Sequence, residues 1–434
     1  MSYADFLARK STQLAPTGIT DPPPLSGLLK PFQDHCTRWA LRSGKAALFQ
    51  GCGLGKSWQA IEWARVVAQH TSKPVLILTP LAVAQQFVRE GAKLDVEVQH
   101  VREMADVSAR ILVTNYERLD KFSDLIPSLG GVVLDESSIL KAFDGKTRTR
   151  LIEVFQWTPF RLACTATPAP NDPAELGNHA EFLGVSRHVD MLNRFFEHDA
   201  GDTGNWVLKG HGRKPFWRWV ASWAVCLNKP SDIGYSDEGY DLPPLDIHEH
   251  VVDIDGAMAR KAGMLFSFEA ASLGEQREVR RASLHERVAK AAELVNSDSE
   301  QWLVWGQLND ECEALCKAIP GSVDVSGSDS ADDKERAVND FLDGKRRVIV
   351  TKMKILGFGL NAQCCAHQLF VGVDHSFESQ YQAMRRSWRF GQTRPVHIHQ
   401  ICTSADGLVV ANIRRKQEEF SEMHRAMAEV MRGV

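Results

Sequence analysis

Gly51-Cys52-Gly53-Leu54-Gly55-Lys56-Ser57 lies between an apolar run, Ala46-Ala47-Leu48-Phe49, and a helix-like run, Trp58 to Ala64. A strand, a glycine loop, Lys-Ser and a helix, in that order, predict a phosphate-binding loop. Glycines Gly53 and Gly55 let backbone N–H groups turn onto phosphate oxygens, and the helix directs its positive end at the same charge. Lys56 is then expected to reach the β- and γ-phosphates of a nucleotide, and Ser57 to ligate Mg²⁺. The pattern G-x-x-x-x-G-K-[ST] asks for glycine where Gln50 stands.

The chain has 434 residues, enough for two or three domains of ordinary size, and a net charge of −4. No apolar run is long enough to span a membrane, and Met1 to Pro16 does not read as a signal peptide, so the expected location is cytoplasmic. Nine irregularly spaced cysteines suggest neither a disulfide framework nor, for Cys312 and Cys316, a structural zinc site. The net charge does not by itself announce nucleic acid. Local basic clusters exist at His211–Trp219, Lys345–Arg347 and Arg385–Arg394, and each reads either as a binding surface or as a solvated face.

Residues 1–27 are proline-rich and read as an arm or linker. From 28 to 243, short β-branched runs alternate with helix-like segments. Strands are expected at Ala47–Phe49, Val75–Leu78, Val96–Val101, Ile111–Thr114, Val132–Leu134 and Arg161–Thr165. About residues 177–240 break this rhythm with Trp, Asn, Gly and His and predict a small, mainly helical insertion. From 244 to 434 the alternation resumes, with strands expected at Asp246–Ile254, Trp302–Trp305, Val323–Val325, Val348–Val350, Leu369–Val373 and Val396–Ile401. Continuous apolar strands between helices predict parallel sheets buried on both faces, hence two α/β domains.

The strand Val132-Val133-Leu134 ends in Asp135-Glu136. In a parallel sheet this is the carboxyl edge, where ligands bind. Asp135 is expected to hold Mg²⁺ and Glu136 to orient and deprotonate an attacking water. Thr165-Ala166-Thr167-Pro168 follows the next strand. Further on, Arg386 and Arg389 are three apart, which predicts one helical face. They read as arginine fingers for a γ-phosphate or as a basic face paired with acids; no acid occurs between Glu378 and Asp406, which favours the first.

From Leu28 to Asp406 the chain resembles a superfamily-two helicase or translocase of the Swi/Snf-like branch. Leu29–Gln33 is similar to the adenine-recognition segment, Gln50–Ser57 to motif I, Leu78–Phe87 to motif Ia, Asp135–Lys141 to motif II and Thr165–Pro168 to motif III. Trp302–Asn309, Thr351–Asn361 and Gln382–Gln392 resemble motifs IV, V and VI, and Arg389-Phe390-Gly391-Gln392-Thr393-Arg394-Pro395-Val396 is the most branch-specific match. Ser137-Ser138 departs from the usual motif II. The resemblance implies two tandem RecA-like domains, an ATP site that includes Gln33, Gly359 and Gln382, Mg²⁺, and sequence-nonspecific double-stranded DNA as the track. Its compact build resembles small motors of bacteriophages and prophages. A strand-separating helicase is the alternative, with the aromatic stretch Trp206–Trp223 as either a wedge or packed core. A nucleotide-gated scaffold without turnover is the second.

Overall fold

The computed structural model describes residues 16–80, 83–141, 145–198, 206–253, 280–356, 360–372, 376–403 and 406–431. The chain divides into two compact units, Met1–Glu238 with Glu419–Val434, and Gly239–Glu418. Each is an α/β body around a parallel sheet, as the apolar strands between helices predict.

The first sheet holds β1 (Lys45–Gln50), β2 (Val75–Thr79), β3 (Gln99–His100), β4 (Ile111–Asn115), β5 (Gly131–Asp135), β6 (Phe160–Thr165) and β9 (Ala224–Leu227), in the order β3-β4-β2-β5-β6-β1-β9. Every pairing is parallel. Strands β2, β4 and β5 are buried at every residue, as apolar runs with covered faces on both sides should be. The expected strand at Val96–Val101 is reduced to two residues of β3 at the sheet edge. Ala224–Leu227, which the sequence reading places inside the insertion, is instead a strand of this sheet on β1. The rest of the insertion is mainly helical, with helices Leu176–Leu183, His188–Phe195 and Arg213–Ala221 and a hairpin of β7 (Phe196–His198) and β8 (Trp206–Leu208). Its aromatic residues are packed: Trp217, Trp219 and Trp223 are buried, and Trp223 meets Phe49 of β1 edge-on at 5.9 Å. That is the packed-core reading of this stretch.

The second sheet runs β10 (Leu245–Val252), β15 (Val396–Thr403), β14 (His367–Val371), β11 (Trp302–Gly306), β13 (Val348–Lys352) and β12 (Ser322–Val325), all parallel. Leu303, Trp305, Ile349, Phe370 and Ile398 pack on one face, and Trp302, Val304, Val350, Leu369 and Ile401 on the other. The two-residue side-chain period thus fills both layers from single strands. Residues 419–434, which the sequence reading gives to the second domain, group with the first unit. Met423, His424 and Met427 are buried there, and His424 Nδ1 lies 3.4 Å from Cys226 Sγ of β9. Among the described residues no helix is long and apolar enough to cross a membrane. Nor is any group of three or more His, Cys, Asp and Glu side chains among them placed to hold a metal ion.

A run of histidines joins the edge strand β10 to β15 and β14. His250 Nε2 and His399 Nδ1 are 3.0 Å apart, with ring planes 9° apart and centroids 5.2 Å apart. The rings therefore lie side by side and share one N–H···N bond. His248 Nε2 lies 3.4 Å from His397 Nδ1, which stacks on His367 at 5.1 Å. Asp246 reaches His397 at 3.5 Å, while Lys290, Glu293, Asp298, Glu300 and Arg394 supply the surrounding charge. Burial, then neighbouring imidazoles, hold His399 down to about 4, and burial lowers His250 and His367. A histidine whose folded pKa is depressed contributes stability that is complete above the ordinary value of about 6.5 and is lost as pH falls from there. Amide protection of β10, measured by hydrogen exchange, should therefore decline between about pH 6.5 and 4, and His399→Leu should flatten that decline relative to wild type.

Candidate functional site

Three consecutive neighbours of the first sheet, β5, β6 and β1, end at the same edge. Phe49 is level with Thr165, and Asp135 with Cys164. Parallel pairing thus brings the glycine loop, the carboxylate pair and Thr165-Ala166-Thr167 together.

The loop after β1 turns through Gly53 at φ +89° and Gly55 at φ +77°, left-handed conformations that glycine adopts without a Cβ penalty. Lys56 then opens the helix Lys56–Thr71, and half-buried Ser57 follows it. Lys56 Nζ donates to the carbonyls of Gln50 at 2.8 Å and Gly51 at 3.3 Å. Gln50 has a structural role that the sequence pattern does not reveal. Its amide exchanges two hydrogen bonds, of 2.9 and 2.7 Å, with the buried amide of Gln59, tying the strand end to the following helix. Gln33, in the helix Pro31–Ser43, donates from Nε2 to the Leu54 carbonyl at 2.9 Å. Its Oε1 accepts from the Lys30 N–H at 2.9 Å. Gln33 therefore stands directly on the loop: a Cβ on Gly55 would come within 2.3 Å of its Nε2.

Asp135 ends β5 and is buried. Its Oδ2 accepts from Thr79 Oγ1 of β2 at 2.9 Å, and its backbone carbonyl accepts from the buried Tyr116 hydroxyl at 2.6 Å. Burial first, then the adjacent Glu136 charge, push its carboxyl up to about 7, against the pull of Thr79 and Lys56. Glu136 has φ +51°, a left-handed conformation costing on the order of 1 kcal/mol for a residue with a Cβ. Thr165 Oγ1 donates to Glu136 Oε2 at 3.4 Å and also accepts from the Thr167 N–H at 3.1 Å. The hydroxyls of Thr165 and Thr79 thus address one carboxylate each.

The second unit places the other expected residues. Gly359 lies outside the described residues. Gln382 is buried in the helix Phe377–Met384, and its Nε2 is 3.5 Å from Glu378 Oε1. That helix ends at Met384, so Arg386 and Arg389 do not share a helical face. They follow it through tight turns, with Arg386 N donating to Ala383 O at 3.0 Å and Arg389 N to Ser387 O at 3.0 Å. Arg386 is buried and donates to the carbonyls of Gln382 at 3.0 Å and Leu360 at 3.5 Å, while Arg389 donates to Asn361 Oδ1. The segments resembling motifs V and VI are thereby joined. Arg385, not singled out by sequence, is buried with its guanidinium 4.9 Å from the Trp388 ring centroid and 5.7 Å from that of Phe390. Members of the basic clusters meet local acids: Lys345 pairs with Asp343 at 2.9 Å, Arg394 with Glu300 at 2.7 Å and Arg213 with Glu422 at 2.7 Å.

Sequence comparison adds an independent line. Residues 286–391 match the helicase conserved C-terminal domain. The chain is 19% identical to the SWI/SNF-related matrix-associated actin-dependent regulator of chromatin subfamily A-like protein 1 of Drosophila melanogaster, over 92% of this chain and 56% of that protein. It is 24% identical to the putative ATP-dependent helicase/translocase YwqA of Bacillus subtilis, over 88% of this chain and 47% of that one. The chain spans about half the length of these relatives. A Sulfolobus solfataricus SWI2/SNF2 ATPase core in complex with dsDNA aligns with a TM-score of 0.45 and 16% identity, over 94% of this chain and 98% of that one. By sequence, then, the chain is related to superfamily-two helicases of the SWI/SNF-like branch.

The Gly55–Gln33 contact can be tested directly. Gly55→Ala should destabilise the protein by about 1–3 kcal/mol through its left-handed backbone and weaken nucleotide binding by displacing Gln33. Thermal unfolding and fluorescent-nucleotide titration measure both effects. In a Gln33→Ala background the same change should cost less, because the clash is gone.

Proposed function

We propose that this protein hydrolyses ATP and couples the reaction to movement along, or remodelling of, double-stranded DNA. The observation that carries the proposal is the meeting of a glycine loop, Lys56-Ser57 and the Asp135-Glu136 pair at one sheet edge, in a chain related to helicases and translocases. In this reading the backbone of Gly53 and Gly55 cradles the phosphates, Lys56 neutralises the β- and γ-phosphates, and Gln33 reads the base. Glu136 orients the attacking water and takes its proton. Arg386, Arg389 and Gln382 keep the assignment to nucleotide that the sequence gives them.

A magnesium ion fits these side chains. Asp135 and Ser57 offer the hard oxygen donors that Mg²⁺ prefers, and the neighbouring Glu136 charge helps to raise the buried Asp135 carboxyl, a repulsion that a bound cation would relieve. When bound, the ion would neutralise charge on the transferring phosphoryl group.

DNA should be held by its phosphates, so binding should be sequence-tolerant and salt-sensitive. The alternative of strand separation is less well supported, because Trp217, Trp219 and Trp223 of its candidate wedge are buried in the first unit and only Trp206 is half-buried. Phosphate release measured with duplex DNA, single-stranded DNA and RNA tests the reading. Duplex should stimulate most, Lys56→Ala should weaken or abolish turnover, and Glu136→Gln should bind ATP but slow hydrolysis by at least about a hundredfold. Turnover by Glu136→Gln within twofold of wild type would overturn the assignment of the base. Absence of hydrolysis by wild type on every track would favour a nucleotide-gated scaffold.

A further inference from the structure

The turn that follows the carboxylate pair, Ser137–Leu140, is gripped at both ends by one helix of the insertion, Leu176–Leu183. At its start, His179 Nε2 lies 3.1 Å from Ser137 Oγ. Past its end, the neighbouring Asn178 donates to the Lys141 carbonyl at 3.0 Å, while Asn178 Oδ1 lies 2.7 Å from His188 Nδ1. His179 is fully buried, and its ring stands edge-on to Phe49 of β1 at 5.1 Å. A polar ring buried against an aromatic one is costly unless its nitrogens are used, so a leucine would fill this space more cheaply if packing were the only demand. Burial pushes the imidazole down to about 4, leaving it neutral at ordinary pH.

What this grip controls is the residue just before it. Glu136 sits at φ +51°, between Asp135, whose carbonyl is fixed by Tyr116, and Ser137, fixed by His179. A residue in a sparsely populated backbone conformation stays there only if both flanks are held. We propose that His179, acting through Ser137, is a positioning residue that aims the Glu136 carboxylate for hydrolysis. The proposal rests on the reading of Glu136 as the base.

Single-turnover hydrolysis and fluorescent-nucleotide affinity, measured on the full chain with DNA, separate positioning from mere packing. His179→Leu should slow hydrolysis about tenfold or more while nucleotide affinity stays within twofold. His179→Gln, which returns an amide nitrogen near the Nε2 position, should recover most of the rate. Ser137→Ala should reproduce the defect, and the Ser137→Ala/His179→Leu double variant should be no slower than the worse single one. Equal rates for wild type and His179→Leu would overturn the proposal, as would strictly additive losses or a parallel fall in affinity and thermal midpoint. If His179→Leu does not fold, Ser137→Ala carries the same decision. Glu136→Gln is run alongside. If it hydrolyses at the wild-type rate, the assignment of the base has failed; if it is slow while His179→Leu and Ser137→Ala are not, only the positioning role has failed.

Discussion

The parallel pairing of β5, β6 and β1 is the constraint on which the candidate site depends. Parallel strands deliver all their carboxyl ends to one edge, and these three place a cation-bearing loop, two carboxylates and a hydroxyl pair in adjacent positions. Most of the hydrogen bonds around that edge serve to hold strand ends in place. Gln50 and Gln59 lock the loop to its helix, Gln33 braces it from outside, and Tyr116 and Thr79 hold Asp135 by its backbone and side chain. The sheet supplies the adjacency, and the polar contacts supply the aim.

Most of this architecture was legible in the sequence, for a specific reason. Strands buried on both faces must be apolar throughout, so β2, β5 and β13 stand out as uninterrupted runs between helical segments. Legibility fails where that condition lapses. Ala224–Leu227 is short and sits among tryptophans, so nothing local marks it as the strand beside β1. Arg386 and Arg389 have helical spacing, yet the helix stops at Met384, where the chain turns and the carbonyls of Ala383 and Met384 accept from the turn residues. The grouping of residues 419–434 with the first unit rests on contacts such as His424 with Cys226, 198 positions apart in sequence. The histidine run has the same character. His248 and His250 alternate visibly, as do His397 and His399, but only the register of β10 on β15 shows that they meet.

Side-chain identity also misleads where a family pattern is taken as a list of requirements. Gln50 reads as a defect in the loop pattern until Gln59 is seen to complete it. Gln59 sits one helical turn into the following helix, where a lone glutamine does not stand out in the sequence. Ser137-Ser138 reads as a departure from motif II, and the structure supplies a histidine to Ser137 from 42 residues further on. In both cases a polar group that departs from the family pattern has its own partner, close by for Gln50 and far along the chain for Ser137.

Buried cations find partners within their own unit: Arg148 meets Glu181 in the first, and in the second Arg287 meets Glu311 at 3.0 Å with both side chains almost fully enclosed, while Arg385 lies against aromatic faces. Such groups fix structure, and removing one partner would leave a buried charge uncompensated. At the edge of the first sheet, by contrast, Asp135 and Glu136 are adjacent in sequence and repel, and burial together with that repulsion pushes the Asp135 carboxyl up to about 7 against the opposing pull of Thr79 and Lys56. A fold that only needed to be stable would not bury one acid beside another at a strained turn. An acid raised by burial and by its neighbour, set beside a cation-bearing loop, marks this sheet edge as a place where the chain gives up stability for chemistry.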